Sequence, residues 1–371
     1  MFVYLSIPAA IIFLWLIDAH YKIGKDIVLT TGMIYLFLTS SFRSINLGAD
    51  SVSYIRAFNI IGVTGSFYME KGYVLLNRIV YCLTSSYSAL IFVVNCFFFI
   101  SVYYYIRRFV DKEYWIYCLI IIALQPYIYL QTTFNIIRQC CAVSFVISGL
   151  SCYINSVKFK HKFTGLILFC LLTLTGAQFH KSAYFLLVIP IMLHVKMNRR
   201  KWRILAVVFL LCNLLRLTRR MTPLLAMMGY SHYSEYSSSI LDNPAYLLVV
   251  LGYFFWITSS YNRIELDDWK KHFYDLYLFS IAFLLFAVSN DMFYRVYVIL
   301  AIITMPAIQI IVKNDTSKRL VYKKKFDSKG VGMVSFVLCS YYVLFFVGYI
   351  LYLGRKHSAA YIPYHSVFWK G

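Results

Sequence analysis

The chain has 371 residues, of which 61% are hydrophobic and 14% charged, and its mean hydropathy is +0.69. Soluble globular domains carry roughly a quarter charged residues, so this composition excludes a soluble globule and predicts an all-α, polytopic integral membrane protein. The formal net charge of +21 must then be balanced by membrane lipid or by an anionic ligand. Because the spans leave no room for a sizeable soluble domain, we predict a single membrane domain over 1–371.

A window of about 19 residues predicts twelve hydrophobic spans along the chain. They lie near 1–17, 27–42, 88–106, 114–133, 138–154, 163–179, 182–195, 204–217, 245–260, 276–289, 292–312 and 331–353. An even number of spans puts both termini on the same side of the membrane. Pro190 predicts a kink in the seventh span, because proline removes a helical hydrogen bond.

The connecting segments form two alternating sets that differ in positive charge. The first set contains 18–26, 107–113, 155–162, 195–203, 261–275 and 313–330, and it carries 23 Lys and Arg residues. The second set contains 43–87, 134–138, 180–181, 216–243, 290–297 and 354–371, and it carries 13. By the positive-inside rule, the first set is cytoplasmic, and the second set and both termini are outside.

The outer set is rich in arginine. Nine of its 13 positive residues are Arg, whereas 16 of the 23 inner ones are Lys. Orientation needs only a charge bias, but the planar guanidinium is needed where carboxylates or phosphates are held by two parallel hydrogen bonds. For any single arginine the alternative is snorkelling to lipid headgroups. For the whole set we expect an anionic-ligand site.

The longest outer segment, 43–87, is the candidate catalytic loop. It combines charges of both signs with aromatic residues and glycines. Gly48 can adopt a positive φ just before Asp50. After Asp50, Tyr54 lies on one helical face and Arg56 on another. This pattern predicts a short, half-buried helix on the membrane surface.

A second amphipathic helix is predicted after Glu70 in the same loop. Its apolar positions at helical spacing are Tyr73, Leu76, Val80 and Leu83. The alternative for this loop is a purely structural segment that is held shut by an Arg43–Asp50 ion pair. Both readings place the loop at the outer membrane surface.

Other outer helix ends add further polar side chains. FNIIRQCC contributes Arg138 and Gln139, FHKSAY contributes His180 and Lys181, and SNDMFYRVY places Asp291 and Arg295 four residues apart. The second outer loop, 216–243, adds three arginines and the tyrosine-rich segment YSHYSEYSSS. Aromatic rings and hydroxyls suit sugars, although tyrosine also forms the ordinary aromatic belt at a membrane boundary.

The motifs that the sequence lacks narrow the function further. It has no GxxxxGK[ST], HExxH or GxSxG motif and no metal-binding run of acids. Nucleotide hydrolysis, zinc chemistry and acyl-enzyme chemistry therefore lack support, and we expect no cofactor. Ionisable residues are almost absent from the predicted span centres, which disfavours a proton- or sodium-coupled transporter.

Four short motifs occur in a fixed order along the chain. They are R-x4-G-x-D-x3-Y-x3-F from Arg43 to Phe58, EKGY at 70–73, IRQ at 137–139 and H-x-S-A at 180–183. With the tyrosine-rich end around Pro363, this order resembles the EpsG-like branch of bacterial O-antigen and exopolysaccharide polymerases of the Wzy type. The departure is Lys71, where the resemblance leads us to expect proline.

The resemblance implies polymerisation of oligosaccharide repeat units linked to undecaprenyl diphosphate. The reaction would occur on the outer, periplasmic or extracellular face of the bacterial cytoplasmic (inner) membrane and would build a surface polysaccharide. The implied partners are the lipid-linked glycan substrates and membrane lipid, with a chain-length regulator and a flippase as candidate protein partners. No nucleic acid is expected.

The residues fit this chemistry independently. The leaving group is a diphosphate whose charge grows as the glycosidic bond breaks, and arginines can stabilise it in place of a metal ion. We predict that Arg138 and Arg295 grip the diphosphate and that Arg43 or Arg56 assists. An inverting, one-step displacement is expected, because no nucleophile paired with a base is visible.

The acceptor hydroxyl needs a proton acceptor, and the outward-facing candidates are Asp50, Glu70 and His180. We favour His180, whose ordinary pKa of about 6.5 suits neutral pH. Asp50 would then orient the acceptor or an arginine, and Glu70 could hold the acceptor sugar. Tyr54 and Gln139 are expected to complete the substrate site.

Two alternatives remain open. A lipid-linked glycan flippase would perform no chemistry, and it should line an internal cavity with charges through several spans rather than collect them at one rim. An O-antigen ligase, or another polyprenyl-phosphate glycosyltransferase, would differ from a polymerase only in its acceptor. The products made from purified protein and lipid-linked repeat units would separate these functions.

Overall fold

The structure is a computed structural model, which describes residues 2–48, 50–125, 127–158, 161–220, 244–259, 261, 266–288, 290–313 and 346–347. Every secondary-structure element assigned within these ranges is a helix, which confirms the predicted all-α class. Several predicted features lie outside the described residues. They are the second outer loop beyond Arg220, the inner segment after Lys313, the twelfth span apart from 346–347, and the outer segment 354–371 with the tyrosine-rich end.

Fourteen α-helices account for most of the described chain. They are α1 Phe2–Tyr21, α2 Lys25–Ser41, α3 Ser51–Thr64, α4 Lys71–Thr84, α5 Tyr87–Phe109, α6 Trp115–Leu124, α7 Ile137–Lys158, α8 Lys162–Ala177, α9 Ile189–His194, α10 Arg199–Leu214, α11 Leu217–Arg220, α12 Pro244–Thr258, α13 Asp268–Ala287 and α14 Asp291–Ile303. A π-helix, Tyr127–Asn135, separates α6 from α7. A 3-10 helix, Lys181–Val188, leads into α9, with Pro190 in the first turn of α9 rather than at a kink inside a long helix.

Several helices are apolar and fit a membrane protein. Three described helices are long and apolar enough to cross a membrane, namely Val3–Tyr21, Tyr87–Phe109 and Ile137–Val157. The number rises to five if each of two bent pairs is one span, namely Lys112–Leu124 with Ile128–Asn135 and Phe293–Ile303 with Met305–Lys313. The predicted count of twelve is therefore not confirmed. Helices at other predicted spans, such as α2 with 17 residues and α10 with 16, are short.

The chain divides into two compact units, one that includes Met1–Tyr184 and one formed by Phe185–Asn314. In the first unit, α7 packs against α5 and α8, α2 packs against α5 and α6, and α3 packs against α4. In the second unit, α13 packs against α10, α12 and α14 around a core that includes Trp202, Phe254 and Leu285. The prediction of a single membrane domain over 1–371 remains a prediction.

One end of the first unit joins segments that were predicted to be cytoplasmic. The Asp26 carboxylate accepts hydrogen bonds from Arg107 Nη2 at 3.0 Å and from Lys112 Nζ at 2.6 Å. Arg108 donates to Asn155 Oδ1 at 3.2 Å. The loops after α1, α5 and α7 therefore meet at one end of the helices, as the alternation of loops requires.

Labelling of single cysteines tests which end faces outward. We expect a membrane-impermeant maleimide, added outside intact cells that carry a cysteine-free background, to label Tyr68→Cys and to leave Glu113→Cys unlabelled. Both positions are exposed, and Tyr68 lies between α3 and α4 whereas Glu113 lies beyond the other end of α5. The reverse pattern would contradict the charge-based orientation. Equal labelling would contradict the separation of the two sets of loops.

Candidate functional site

The other end of the first unit brings together four segments that are distant in sequence. They are the 43–50 loop with the start of α3, the start of α4, the start of α7 and the turn between α8 and the 3-10 helix. This is the meeting of 43–87, 134–138 and 180–181 that the loop sorting predicted. It lies at the starts of α5 and α7, whereas Asp26 with Arg107 and Lys112 lies at the other end of these helices.

Arg138 and Glu70 form an ion pair at the centre of this convergence. Arg138 is the second residue of α7, and its Nη1 donates to Glu70 Oε2, which belongs to the residue just before α4. The Arg138 and Glu70 side chains are only 17% and 12% exposed. A largely buried ion pair gains little net stability over apolar packing, so stability alone does not account for this pair.

The Tyr54 ring covers the Arg138 guanidinium. Arg138 Nε donates to the Tyr54 hydroxyl at 3.3 Å, and the guanidinium carbon lies 5.6 Å from the centre of the Tyr54 ring. Tyr54 in turn meets Tyr73 edge to face, with ring centres 6.0 Å apart. The predicted helical faces are confirmed here, because Tyr54 is buried and Arg56 is exposed. Arg56 makes no hydrogen bond or ion pair within the described residues.

The Tyr73 side chain is fully buried, and burial raises the pKa of its hydroxyl well above the ordinary value. It therefore remains a neutral hydroxyl at any physiological pH. The Asn77 side chain lies near this hydroxyl, but no described group meets the distance and angle of a full hydrogen bond with it. The pattern in the sequence identified Tyr73 only as an apolar position, so this polar atom was missed. This buried hydroxyl adds a neutral polar group beside Arg138 and Tyr54.

The EKGY motif joins α4 to the end of α8. The second carboxylate oxygen of Glu70, Oε1, accepts the Lys181 backbone N–H at 3.4 Å. The N–H groups of Gly72 and Tyr73 donate to the Gln178 carbonyl at 2.9 and 3.3 Å. A Cβ at Gly72 would lie 2.9 Å from both the carbonyl oxygen and the Cβ of Gln178, so only glycine permits this approach. The motif thus fixes Glu70 beside the turn that carries His180.

Arg43 connects the 43–50 loop to the end of the π-helix. Its side chain is fully buried, and its Nη2 donates to the Phe134 carbonyl at 3.0 Å. Its Nη1 donates to the Leu47 carbonyl, and its guanidinium carbon lies 5.0 Å from the centre of the Phe134 ring. Through these main-chain contacts, Arg43 holds the 43–50 loop against the end of the π-helix. Its predicted assistance at a diphosphate stays a prediction.

Gly48 adopts the positive φ that the sequence predicted, with φ of 116°. A Cβ at this position would lie 2.2 Å from the Phe134 carbonyl oxygen. Next to it, the Asp50 N–H donates to Asn135 Oδ1 at 2.8 Å, and the Asp50 carbonyl accepts the Tyr54 N–H at the start of α3. Asn135 was missed by the sequence reasoning, although a polar residue three positions before Arg138 in an apolar segment was a usable signal.

We expect Gly48→Ala to be clearly more destabilising than Gly24→Ala. Both glycines have positive φ, 116° and 104°, so alanine at either costs about 1–2 kcal/mol in backbone strain. A Cβ at Gly24 meets nothing within 4 Å, whereas a Cβ at Gly48 collides with Phe134. Thermal unfolding of the two purified variants measures the difference. Equal midpoints would contradict the close approach between the loop and the π-helix.

His180 and Gln139 are both buried at the same end of the unit. His180 Nδ1 lies 2.6 Å from Ser182 Oγ and accepts the Ser182 N–H at 3.3 Å. We assign the proton of the neutral ring to Nε2, because Nδ1 accepts the Ser182 N–H. The Gln139 N–H donates to the Ile136 carbonyl at 2.8 Å in the first turn of α7.

Arg295 lies in α14 of the second unit and is half-buried. The side chain of Asp291 is outside the described part of the structure, so the predicted pairing of Asp291 and Arg295 on one face stays a prediction. Within the described residues, no group of three or more His, Cys, Asp or Glu side chains is placed to hold a metal ion. The part of the candidate site that the structure describes therefore lies in the first unit. It consists of Tyr54, Glu70, Tyr73 and Arg138.

Comparison with known proteins identifies the family of this chain. The model of the EpsG family, a family of Wzy-like polysaccharide polymerases, matches residues 26–366, which is nearly the whole chain. The matched region includes every segment of the site described above. No curated protein and no solved structure matches the chain.

Proposed function

Because the chain belongs to the EpsG family, we propose that it is a membrane glycosyltransferase that polymerises oligosaccharide repeat units linked to undecaprenyl diphosphate. The product would be a surface polysaccharide, such as an O-antigen or an exopolysaccharide, made on the outer face of the bacterial cytoplasmic membrane. The observation that carries the proposal is the buried Arg138–Glu70 pair beneath Tyr54, where four distant segments meet.

Arg138 is the group that would receive the diphosphate. Its guanidinium has several N–H donors in one plane, and such a fork can bind two phosphate oxygens at once. In the structure, one of these donors is held by Glu70 and one by Tyr54. A diphosphate carries more negative charge than one carboxylate, so it would compete with Glu70 for Arg138. The ion pair would thus open when the lipid-linked donor binds.

The same exchange would release Glu70 for proton transfer. The acceptor hydroxyl oxygen attacks the anomeric carbon, and the bond between that carbon and the diphosphate oxygen breaks. Its electron pair leaves with the diphosphate, which Arg138 stabilises. The hydroxyl proton passes to the Glu70 carboxylate. A single displacement of this kind inverts the anomeric configuration. Because the diphosphate must displace Glu70 from Arg138, the base becomes available only when the donor is bound.

Glu70 is preferred over His180 as the base because of the hydrogen bonds around each group. The neutral His180 ring carries its proton on Nε2, since Nδ1 accepts the Ser182 N–H, so Nε2 can donate but cannot accept. Glu70 Oε2 already lies against Arg138, and the other carboxylate oxygen accepts the Lys181 N–H, so Oε2 becomes available as a proton acceptor once Arg138 turns to the diphosphate. In this proposal, His180 orients the acceptor or donates to a sugar hydroxyl. Asp50, whose backbone N–H donates to Asn135, fixes the start of α3, the helix that carries Tyr54.

Purified protein mixed with lipid-linked repeat units tests the proposal. We expect polymers of increasing length together with released undecaprenyl diphosphate, one molecule for each bond formed. A flippase in vesicles would move the substrate across the bilayer and leave it unchanged. A ligase would transfer a single chain to a different lipid acceptor and would give no ladder from repeat units alone. Either of these results would overturn the assignment as a polymerase.

A further inference from the structure

A groove on the second unit has a charged end and an apolar length. It lies along α10 beside α12 and has a volume of about 600 Å³. Three arginines at the start of α10 line one end of it, namely Arg199, Arg200 and Arg203. The aliphatic side chains of Ile204, Val207 and Val208 continue from there along α10.

The positive charge of this groove is not neutralised within the described residues. Arg199 and Arg200 make no hydrogen bond or ion pair with them, and no described carboxylate pairs with Arg203. The start of α10 adds the partial positive charge of a helix N-terminus, and Asn198 caps it through the Lys201 N–H at 2.9 Å. Three cations beside a helix N-terminus favour an anionic group.

Arg203 is held in place by α12, so this end of the groove is preformed. Its Nε donates to Thr258 Oγ1 at 3.3 Å and its Nη2 to the Phe255 carbonyl at 3.4 Å. Its guanidinium carbon lies 5.1 Å from the centre of the Phe255 ring. Arg203 thus connects α10 to α12 while Arg199 and Arg200 remain available.

The rest of the groove is unsuited to a soluble anion. Ile204, Val207 and Val208 are 52%, 41% and 44% exposed, which are large fractions for aliphatic side chains. They lie within about two helical turns of the arginines, since each residue of α10 rises about 1.5 Å. A ligand that satisfies the whole groove therefore carries a negative head and an adjoining hydrocarbon chain.

We propose that this groove binds an anionic phospholipid, with its phosphate at Arg199, Arg200 and Arg203 and an acyl chain along α10. A zwitterionic lipid offers no net charge to three cations, and a free phosphate leaves the aliphatic side chains uncovered. The charge count places segment 195–203 on the cytoplasmic side, so the ligand would come from the inner leaflet. This site is separate from the proposed reaction, because it uses none of its residues.

Native mass spectrometry of the full-length protein in equimolar phosphatidylglycerol and phosphatidylcholine tests the proposal. We expect the wild type to retain phosphatidylglycerol at least tenfold over phosphatidylcholine. The double variant Arg199→Gln/Arg200→Gln should lose at least tenfold of the retained phosphatidylglycerol. The matched control is Lys270→Gln/Lys271→Gln, which removes the same charge from the start of α13 in the same unit and should behave like the wild type.

A second variant separates the groove from surface charge. Val208→Trp keeps all three arginines and fills the apolar part, and it should also reduce retention of phosphatidylglycerol. Unchanged retention in Val208→Trp, or equal losses in the two double variants, would overturn the groove as the site. Equal retention of the two lipids by the wild type would overturn the anionic specificity. Displacement by an equimolar amount of inorganic phosphate would show that the site holds a free anion instead.

Discussion

Arg138→Lys is expected to lower the rate of polymerisation about a hundredfold while the protein remains folded. Lysine keeps the positive charge and can still pair with Glu70, so the fold should be retained. It loses the planar fork that can bind two diphosphate oxygens and the Nε–H that meets Tyr54. Loss of one such stabiliser costs about 3 kcal/mol in the transition state. Single-turnover rates with purified lipid-linked substrate measure the effect.

The matched control for this variant is Arg78→Lys. Arg78 is exposed on α4, in the 43–87 loop that also holds Glu70, and it forms no ion pair in the described part of the chain. This change should leave the polymerisation rate within about twofold of the wild type, as surface substitutions usually do little. If Arg138→Lys also polymerises at the wild-type rate, then Arg138 does not stabilise the leaving diphosphate.

Glu70→Gln is expected to reduce polymerisation by about 10²–10⁴-fold, the range for loss of a general base. Glutamine has nearly the same shape, but its single amide oxygen can accept from only one of the two donors, Arg138 or the Lys181 N–H, while its NH2 group faces the other. It cannot accept a proton from the acceptor hydroxyl near neutral pH. The chemical step should therefore fail while the lipid-linked donor still binds.

Two further variants complete this experiment: Glu113→Gln is the control, and His180→Gln tests the alternative base. Glu113 is an exposed carboxylate at the opposite end of α5, and its variant should polymerise normally. His180→Gln should retain more activity than Glu70→Gln, because His180 acts on orientation in the proposed reaction. If His180→Gln is inactive and Glu70→Gln is fully active, the proton acceptor is His180, as the sequence alone suggested.

Local features of the site followed from the sequence. Positive φ at Gly48, the helix after Asp50, the helix after Glu70 and the opposite faces of Tyr54 and Arg56 each depend on a few neighbouring residues. The sorting of loops to two ends also held in the first unit, because a chain of consecutive helices that pack side by side alternates between ends. Hydrophobic periodicity and the positions of glycines predict the backbone conformation of neighbouring residues, and these features depend on nothing more distant.

The long-range partners did not follow from the sequence. Glu70 and Arg138 are separated by 68 positions, and no pattern specifies that they pair. Arg43 was predicted as a ligand arginine because it is an arginine in the outer loop, yet its guanidinium meets the Phe134 carbonyl 91 positions away. The number of spans is also not confirmed, because hydropathy detects apolar stretches without reporting how long or how bent each helix is.

The central claim is that diphosphate and Glu70 compete for Arg138, and the affinity for a short polyprenyl diphosphate tests it most directly. Farnesyl diphosphate should bind Glu70→Gln about tenfold more tightly than the wild type, because the competing carboxylate is gone, and Arg138→Lys more weakly. Glu70→Gln would then bind better while polymerising far more slowly. If Glu70→Gln instead binds farnesyl diphosphate as weakly as Arg138→Lys does, the ion pair is a structural support for the site, and the exchange does not occur.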